Sequence, residues 1–269
     1  MSDATNKLAY LGRPRRLWAV AACHGDTARL DQIHIALADK FRVGDRLIYC
    51  GNYLGGGDPT GTIDRLLAFR TYLLAAPGMI ANDLVYLRGI QEEIWSRMLQ
   101  IQFAPNPQEV LHWMLDRGAE ATLKAYGGES RIGLAAAREG AMAMTRWTNG
   151  LREAIRQQPG HNQFMSALRR AALTDEMGEG ALLFVHAGID PARSFAKQGD
   201  NFWWGAGAYE KTAPPFENFK RLFRGSDPSG DGMKLDGYTV TLDAGCGSGG
   251  PLIAAAIMPD GRIVDMIKA

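Results

Sequence analysis

Hydrophobic positions in the first third of the chain alternate between short continuous runs and a helical spacing. Residues 17–23 and 46–50 form apolar runs with the length of buried strands. Between them, Leu30, Ile33 and Leu37 recur at the three- and four-residue spacing of a helix with one buried face. The alternation continues with a helix over about 63–76, a strand over about 84–87 and a helix that begins near Gln91. Strands that alternate with helices predict a parallel sheet and an α/β fold class.

The rest of the chain divides into a helical middle and a strand-rich end. Residues of about 107–172 carry helical patterns and no convincing strand, which predicts a helical insertion. An apolar run at 181–186 predicts that the sheet resumes there. Four further short strands are expected at 220–224, 238–243, 252–257 and 262–267, separated by turn residues. We therefore expect a loose polar segment over 1–16 and a single domain over 17–269.

The composition is ordinary for a globular protein and does not indicate a function. Hydrophobic residues make up 46% and charged residues 22% of the 269 residues, and the formal net charge is +1. This balance gives no reason to expect binding to nucleic acid or to an anionic membrane. Three scattered cysteines do not form a disulfide framework, so a reducing compartment, the cytoplasm, is expected. The apolar stretch 17–22 before Cys23 is shorter than a lipoprotein signal core of about 7–15 residues.

Candidate chemistry lies in the loops that follow the predicted strands. Ligands of open α/β sheets bind beyond the carboxyl ends of the strands. In this chain those ends carry His24, Asn52, Gln91 and His186. We expect the four loops to open on one edge of the sheet, where two of them supply a histidine.

The order of these loops resembles the motif order of the metallophosphatases. That family carries Gly-Asp-x-His-Gly, Gly-Asp-x-x-Asp-Arg-Gly and Gly-Asn-His-Glu, then a histidine after a later strand and a final histidine. Segments 113–118 and 200–205 resemble the bacterial branch with serine/threonine protein phosphatases and diadenosine tetraphosphatases. The resemblance covers about 17–267, and the corresponding blocks are Ala21-Ala-Cys-His-Gly25, Gly51-Asn-Tyr-Leu-Gly-Gly-Gly57, Gly89-Ile-Gln-Glu92, Phe184-Val-His-Ala-Gly-Ile-Asp190 and Arg224-Gly-Ser-Asp-Pro228.

The resemblance implies a two-layer β-sandwich flanked by helices, with two divalent cations that activate a water for attack on phosphorus. Of the six side-chain metal ligands in the family pattern, His24 and His186 are unchanged. Asn52 matches the aspartate that bridges the two metals, and asparagine brings no negative charge to offset the repulsion between cations. The four matched positions that have lost the family's ligand are Ala22, Asn52, Ile90 and Ser226.

The residues that act on phosphate are also changed. Gln91 matches the family's acid–base histidine, and glutamine cannot transfer a proton near neutral pH. Gly56 matches the phosphate-binding arginine of the second block. Arg88 and Glu92 keep their family places, so Arg88 remains a candidate phosphate-binding residue while Glu92 is a vestigial one.

Two functions remain open from the sequence. One is a pseudophosphatase, a binding or regulatory protein with no cofactor or at most one weakly bound divalent metal. The other is a metal-dependent phosphoesterase, a protein phosphatase or dinucleoside polyphosphate hydrolase, with two Mn, Fe or Zn ions in a rebuilt site. That rebuilt site would use His24, His186 and acids such as Asp26, Asp58 or Asp227. The expected partner is an unknown protein or a phosphorylated small molecule.

Three further patterns have a second interpretation. Residues 241–250 resemble the first motif of an S-adenosylmethionine-dependent methyltransferase, but too few residues follow Gly250 to build the rest of that sheet. The run Gly55–Gly57 could hold a phosphate, although a flexible loop is favoured. Trp203 and Trp204 could stack a base or a sugar, although packing is the commoner role of such residues.

Overall fold

Two five-stranded sheets form the centre of the structure, a computed structural model that describes residues 8–175, 180–205 and 209–269. The expected α/β class with two sheets flanked by helices is confirmed. The first sheet has the order β10 (Ile263–Lys268), β9 (Ile253–Ile257), β2 (Arg16–Val20), β3 (Asp45–Tyr49) and β4 (Leu84–Tyr86). The second sheet has the order β1 (Leu8–Tyr10), β5 (Ala171–Leu173), β6 (Ala181–Val185), β7 (Phe219–Arg224) and β8 (Thr239–Thr241).

Nine α-helices accompany the sheets within the described residues. Five of them follow one another between 107 and 167, in the part expected to be helical. None of the helices within the described ranges is long and apolar enough to cross a lipid bilayer. The helices are α1 (Thr27–Lys40), α2 (Pro59–Leu74), α3 (Ile90–Met98), α4 (Pro107–Leu115), α5 (Ala119–Ala125), α6 (Ser130–Glu139), α7 (Ala141–Gln157), α8 (His161–Ala167) and α9 (Asn201–Trp204).

The strands β2, β3 and β4 run parallel and are joined by helices that begin directly after the strand-end loops. Trp18 pairs with Leu47, and Leu47 with Leu84, so the three carboxyl ends lie in register at one edge. Asp26 caps α1 by accepting the N–H of Arg29 at 3.0 Å. Asp58 caps α2 in the same way, by accepting the N–H of Gly61 at 2.9 Å, so the loops after β2 and β3 each end at a capped helix.

The structure differs from the sequence expectation at two short strands and one helix start. β1 lies inside the segment 1–16 that was expected to be loose, and residues 1–7 fall outside the described residues. β5 begins inside the segment expected to be helical and pairs in parallel with β1. α2 begins at Pro59, because Asp58 caps it and proline suits the first helical position. The sequence pattern had predicted that this helix would begin at about residue 63.

Both faces of strand β6 are buried. Leu182 and Phe184 belong to the core that both sheets share, and the ring of Phe184 stacks on Phe223 with centroids 4.9 Å apart. Leu183 and Val185 point to the other face and belong to a second cluster. Because both faces are covered, the strand is apolar along its whole length, as the continuous run in the sequence predicted.

A buried histidine beside the first sheet makes stability depend on pH. The His34 ring stacks on Phe69 with centroids 4.1 Å apart, and its Nε2 lies 2.9 Å from the Tyr49 hydroxyl. Burial lowers the pKa of His34 to about 4. The unfolded chain, with an ordinary pKa near 6.5, therefore binds the proton more readily, and the free energy of unfolding falls as the pH decreases from about 6.5 towards 4.

We expect His34→Phe to reduce this pH dependence, since phenylalanine keeps the stacking and takes up no proton. Between about pH 7.5 and 5, the variant should lose about 2 kcal/mol less unfolding free energy than the natural protein in urea titrations. The exposed His112 on α4 provides the matched control, His112→Phe. An equal loss in the natural protein and in His34→Phe would contradict the assignment.

Candidate functional site

A cleft of about 710 Å³ lies at the carboxyl ends of the strands. Its lining includes the sequence-predicted residues His24, Asn52, Ile90, Gln91 and Ser226. The strand-end loops therefore meet at one edge, as the positions of these residues after successive strands indicated. Two further predicted residues, the fully buried Ala22 and His186, do not line the cleft itself.

The loop after β3 is held by the carboxylate of Glu92, the third residue of α3. Its Oε2 accepts the N–H groups of Gly89 and Asn52 at 2.8 and 2.9 Å. Its Oε1 accepts those of Tyr53 and Leu54 at 2.8 and 3.0 Å. Burial raises the pKa of Glu92 and the four N–H donors oppose that rise. Since every lone pair accepts a donor, the arrangement suits an ionised carboxylate that supports structure.

Asn52, at the position of the metal-bridging aspartate, has its side-chain oxygen in use. Its Oδ1 accepts the backbone N–H of Gln91 at 3.1 Å, in the first turn of α3. The side chain of Gln91 points elsewhere, because its Nε2 donates to the carbonyl oxygen of Arg117 at 2.8 Å. Both amides are therefore engaged in holding α3 and the loop before α5.

His24 is a neutral imidazole enclosed by two loops. Its backbone adopts a left-handed conformation, with φ of 49°, and its N–H donates to the carbonyl oxygen of Asn52 at 2.8 Å. A Cβ on Gly247 would lie 2.8 Å from the His24 ring, so only glycine lets the turn between β8 and β9 approach this closely. Burial lowers the pKa of His24, against a smaller opposing effect of Asp243.

His186 has one ring nitrogen fixed and the other free. Its Nδ1 donates to the carbonyl oxygen of Cys50 at 2.5 Å, while Nε2 is buried and has no partner among the described residues. A Cβ on Gly51 would lie 2.6 Å from Nδ1, so glycine is needed for this packing. Burial lowers the pKa of His186 to about 3. A backbone carbonyl that orients a neutral imidazole is typical of histidines that bind metals.

Two aspartates also line the cleft, but their oxygens already have partners. Asp243 accepts the N–H of Asp227 and the N–H of Gly245, both at 2.8 Å. Asp227 accepts two backbone N–H groups of its own loop and pairs with Arg224 at 2.9 Å. Asp243 is the second residue after β8, so its place at a strand end could have identified it from the sequence, where it belonged only to the methyltransferase-like motif.

One cluster of acidic side chains stands near this loop. Glu210, Asp227 and Asp231 are the single group of three His, Cys, Asp or Glu residues in the described ranges whose ligand atoms lie within 4.8 Å of one another. Arg224 and Lys234 pair with Glu210 at 3.0 and 2.7 Å, which largely neutralises the cluster. Its members are not at the metal-ligand positions matched in the sequence.

Arg88, the expected phosphate-binding residue, does not line the cleft. Its Nη1 forms an ion pair with Oε2 of Glu93 at 2.9 Å, and Glu93 also pairs with Arg97 at 2.7 Å. A phosphate would have to compete with a carboxylate for this guanidinium.

Arg117 is the cationic residue that lines the cleft instead. Its guanidinium lies 4.3 Å from the ring centroid of Trp113, and Trp113 lies 5.6 Å from Trp204, which also lines the cleft. Arg117 and Trp113 lie in the segment 113–118, which resembles bacterial phosphatases but predicts no role for either residue. Arg117 and Trp204 thus form a wall of the cleft that combines a positive charge with aromatic surface, and Trp113 contacts both of them.

Comparison with known proteins supports the fold. No protein-family model and no curated protein matches the chain. A solved structure of a proposed diadenosine tetraphosphatase is 16% identical, with a TM-score of 0.54 over 98% of each chain. A cold-active protein tyrosine phosphatase is 10% identical, with a TM-score of 0.53 over 97% of this chain and 82% of the other. Another structure of a cold-active protein tyrosine phosphatase, from the psychrophile Shewanella sp., is 10% identical, with a TM-score of 0.51 over 97% of this chain and 83% of the other.

The chain therefore has the fold of these phosphatases, the metallophosphatase fold. Identities this low show the fold alone.

Glu92→Gln should destabilise the protein by about 2–4 kcal/mol, because an amide NH₂ would face backbone N–H donors that then lack an acceptor. The measurement is the free energy of unfolding from urea titration at neutral pH. The neighbouring Glu93→Gln is the control, since it weakens only ion pairs with the partly exposed Arg88 and Arg97. Equal stability of Glu92→Gln and the natural protein would contradict the structural role.

Proposed function

We propose that this protein is a pseudophosphatase, which uses the cleft of a metallophosphatase fold to bind a phosphorylated ligand or protein without hydrolysing it. The proposal rests on two properties of Asn52, its lack of charge and the hydrogen bond that its side-chain oxygen already accepts. The residue at the metal-bridging position is neutral, and its oxygen already accepts the N–H of Gln91 at 3.1 Å. Two dications at short range require an anionic ligand between them, and Asn52 supplies none.

The other matched positions do not compensate for this loss. Ala22 is fully buried and its side chain has no atom that could bind a metal. Ile90 lines the cleft with an aliphatic side chain, and Ser226 offers only a hydroxyl group. The residues present therefore do not fit a metal pair, and we derive no catalytic step through one.

The carboxylates that could take part in an altered metal site already have hydrogen-bond or ion-pair partners. Asp26 caps α1 and pairs with Arg29. Asp58 caps α2 by accepting the N–H of Gly61 at 2.9 Å. Asp227 is paired with Arg224. A carboxylate that moved to a metal would leave its cap or its buried cation without a partner, at a cost of about 1 kcal/mol or more.

Proton transfer and phosphate binding lack their usual groups as well. Gln91 has no titratable proton at its matched position, and its amide is held by the carbonyl oxygen of Arg117. A Cβ on Gly56, at the matched arginine position, would lie 3.0 Å from the carbonyl oxygen of His24. The cleft nevertheless has a volume of about 710 Å³, and Arg117 and Trp204 form a wall that is suited to a phosphorylated ligand.

A second candidate function is a metal-dependent phosphoesterase, and one observation favours it. The Nε2 of His186 is buried without a partner and its ring is oriented as in a metal ligand. With His24 it could hold one weakly bound zinc-like ion. A single ion with two imidazole ligands would still lack the bridge and the acid–base group of the family reaction.

We expect no turnover of p-nitrophenyl phosphate, of phosphopeptides or of dinucleoside tetraphosphates, with or without added manganese. The reason is the joint absence of the bridging charge and of the proton donor, which together supply most of the rate. The assay compares the natural protein with His24→Ala. Manganese-stimulated hydrolysis that copurifies with the protein and disappears in His24→Ala would refute the proposal.

The metal content of the purified protein should show whether other residues have replaced the metal ligands that are missing at the matched positions. Protein purified without a histidine tag should contain near-zero manganese, iron and zinc. A variant with Ala22→Asp, Asn52→Asp, Ile90→Asn and Ser226→His should bind more metal, because it restores the anionic bridge and three donors. Elemental analysis of both proteins is the measurement. Two equivalents of metal in the natural protein would favour the phosphoesterase.

A further inference from the structure

A second cavity, of about 640 Å³, lies where the edges of the two sheets meet. It is lined by residues of β1, β4, α2 and α8, and it shares no residue with the cleft at the strand ends. The two sheets come together here because Arg169, after α8, forms a bridge with Leu87 and donates its N–H to Tyr86 at 2.8 Å. The cavity is of the size that small ligands occupy in proteins.

Two arginine side chains give this cavity a positive charge. Arg70, from α2, and Arg169 both line it, and none of the described lining residues is acidic. Neither guanidinium has a hydrogen bond or an ion pair among the described residues. Both residues are half-buried. The other arginine side chains without a partner in the described ranges lie in open solvent: Arg13, Arg15, Arg138 and Arg146.

Unpaired guanidinium groups are unusual away from open solvent. Two like charges that line one cavity repel each other and lose hydration, so an anion between them would stabilise both. The charge of Arg70 is close enough to Tyr86 to oppose the burial-induced rise in the pKa of that phenol. A phosphate monoester, which carries up to two negative charges, matches two guanidinium groups in charge and in hydrogen-bond geometry.

The remaining lining is largely aromatic and aliphatic. The rings of Tyr86 and Phe164 lie at a tilt with centroids 5.0 Å apart, and Leu67 and Leu84 extend this apolar surface. Tyr10, on β1, also lines the cavity and is 54% exposed, so its ring is available to stack on a ligand. This surface fits a planar apolar body next to the anionic group.

We infer that this cavity is a second binding site, which takes an organic phosphate carried on an aromatic ring. Arg70 and Arg169 hold the phosphate, and Tyr10 contacts the ring. The inference does not depend on the function proposed for the strand-end cleft, because the two sites have no residue in common.

The test uses phenylphosphonate, which has the ring and the anion but no ester bond that a phosphatase could cleave. Isothermal titration calorimetry at about pH 8, where the second acidic proton is lost, should detect saturable binding to the natural protein. Arg70→Gln and Arg169→Gln should each weaken binding about tenfold or more, as expected when one charge-assisted contact is lost. Arg146→Gln, at an exposed and unpaired arginine of α7, is the matched control and should bind like the natural protein.

Two further measurements separate the ring contact and the cleft. Tyr10→Leu should weaken the binding of phenylphosphonate and leave that of inorganic phosphate unchanged. Arg117→Gln, in the cleft, should leave phenylphosphonate binding unchanged. The inference is overturned if phenylphosphonate does not bind, if Arg70→Gln and Arg169→Gln bind it normally, or if Arg117→Gln alone abolishes binding. The last result would place the ligand in the cleft and would still agree with the proposed function.

Discussion

The buried carboxylate of Glu92 is the interaction on which the rest of the site depends. Its two oxygens accept four backbone N–H groups, one at the start of α3 and three from the loop after β3. A carboxylate without such partners would lose several kcal/mol on burial, so the two loops and the charge stabilise one another. The positions of Asn52 and Gln91 relative to each other follow from this bond network.

At Ala22 and Ser226, two of the positions that match metal ligands, the contribution to the frame of the site comes from main-chain atoms. The N–H of Ala22 donates to Gly225 at 2.9 Å, and the N–H of Ser226 donates to His186 at 2.9 Å. A change of side chain leaves such bonds intact, because each residue keeps its amide and its carbonyl. The chain can therefore have the fold of solved phosphatases while alanine, serine and isoleucine stand at the positions that match metal ligands.

The sequence predicted the parts of the structure that rest on periodicity and strand ends. The parallel strands after residue 16, α1 and the meeting of His24, Asn52 and Gln91 at one edge follow from these rules. The strands β1 and β5 have three residues each, too few for a period-two pattern to differ from chance. The ion pair of Arg88 with Glu93 and the approach of Arg117 depend on how side chains pack across elements. No local pattern encodes such contacts.

The neutral residues at the site limit the negative charge around Glu92. A carboxylate at position 52 would add a negative charge next to the buried Glu92, which accepts the N–H of residue 52 at 2.9 Å, and like charges this close destabilise each other unless a cation lies between them. Ala22 and Asn52 bring no charge to their positions, and Ala22 is fully buried. Asn52 keeps one oxygen, which is the oxygen that holds the first turn of α3. The side chains at positions 22, 52 and 90 therefore add no further charge to the loop frame around Glu92, and a cleft of about 710 Å³ remains open at this edge of the sheet.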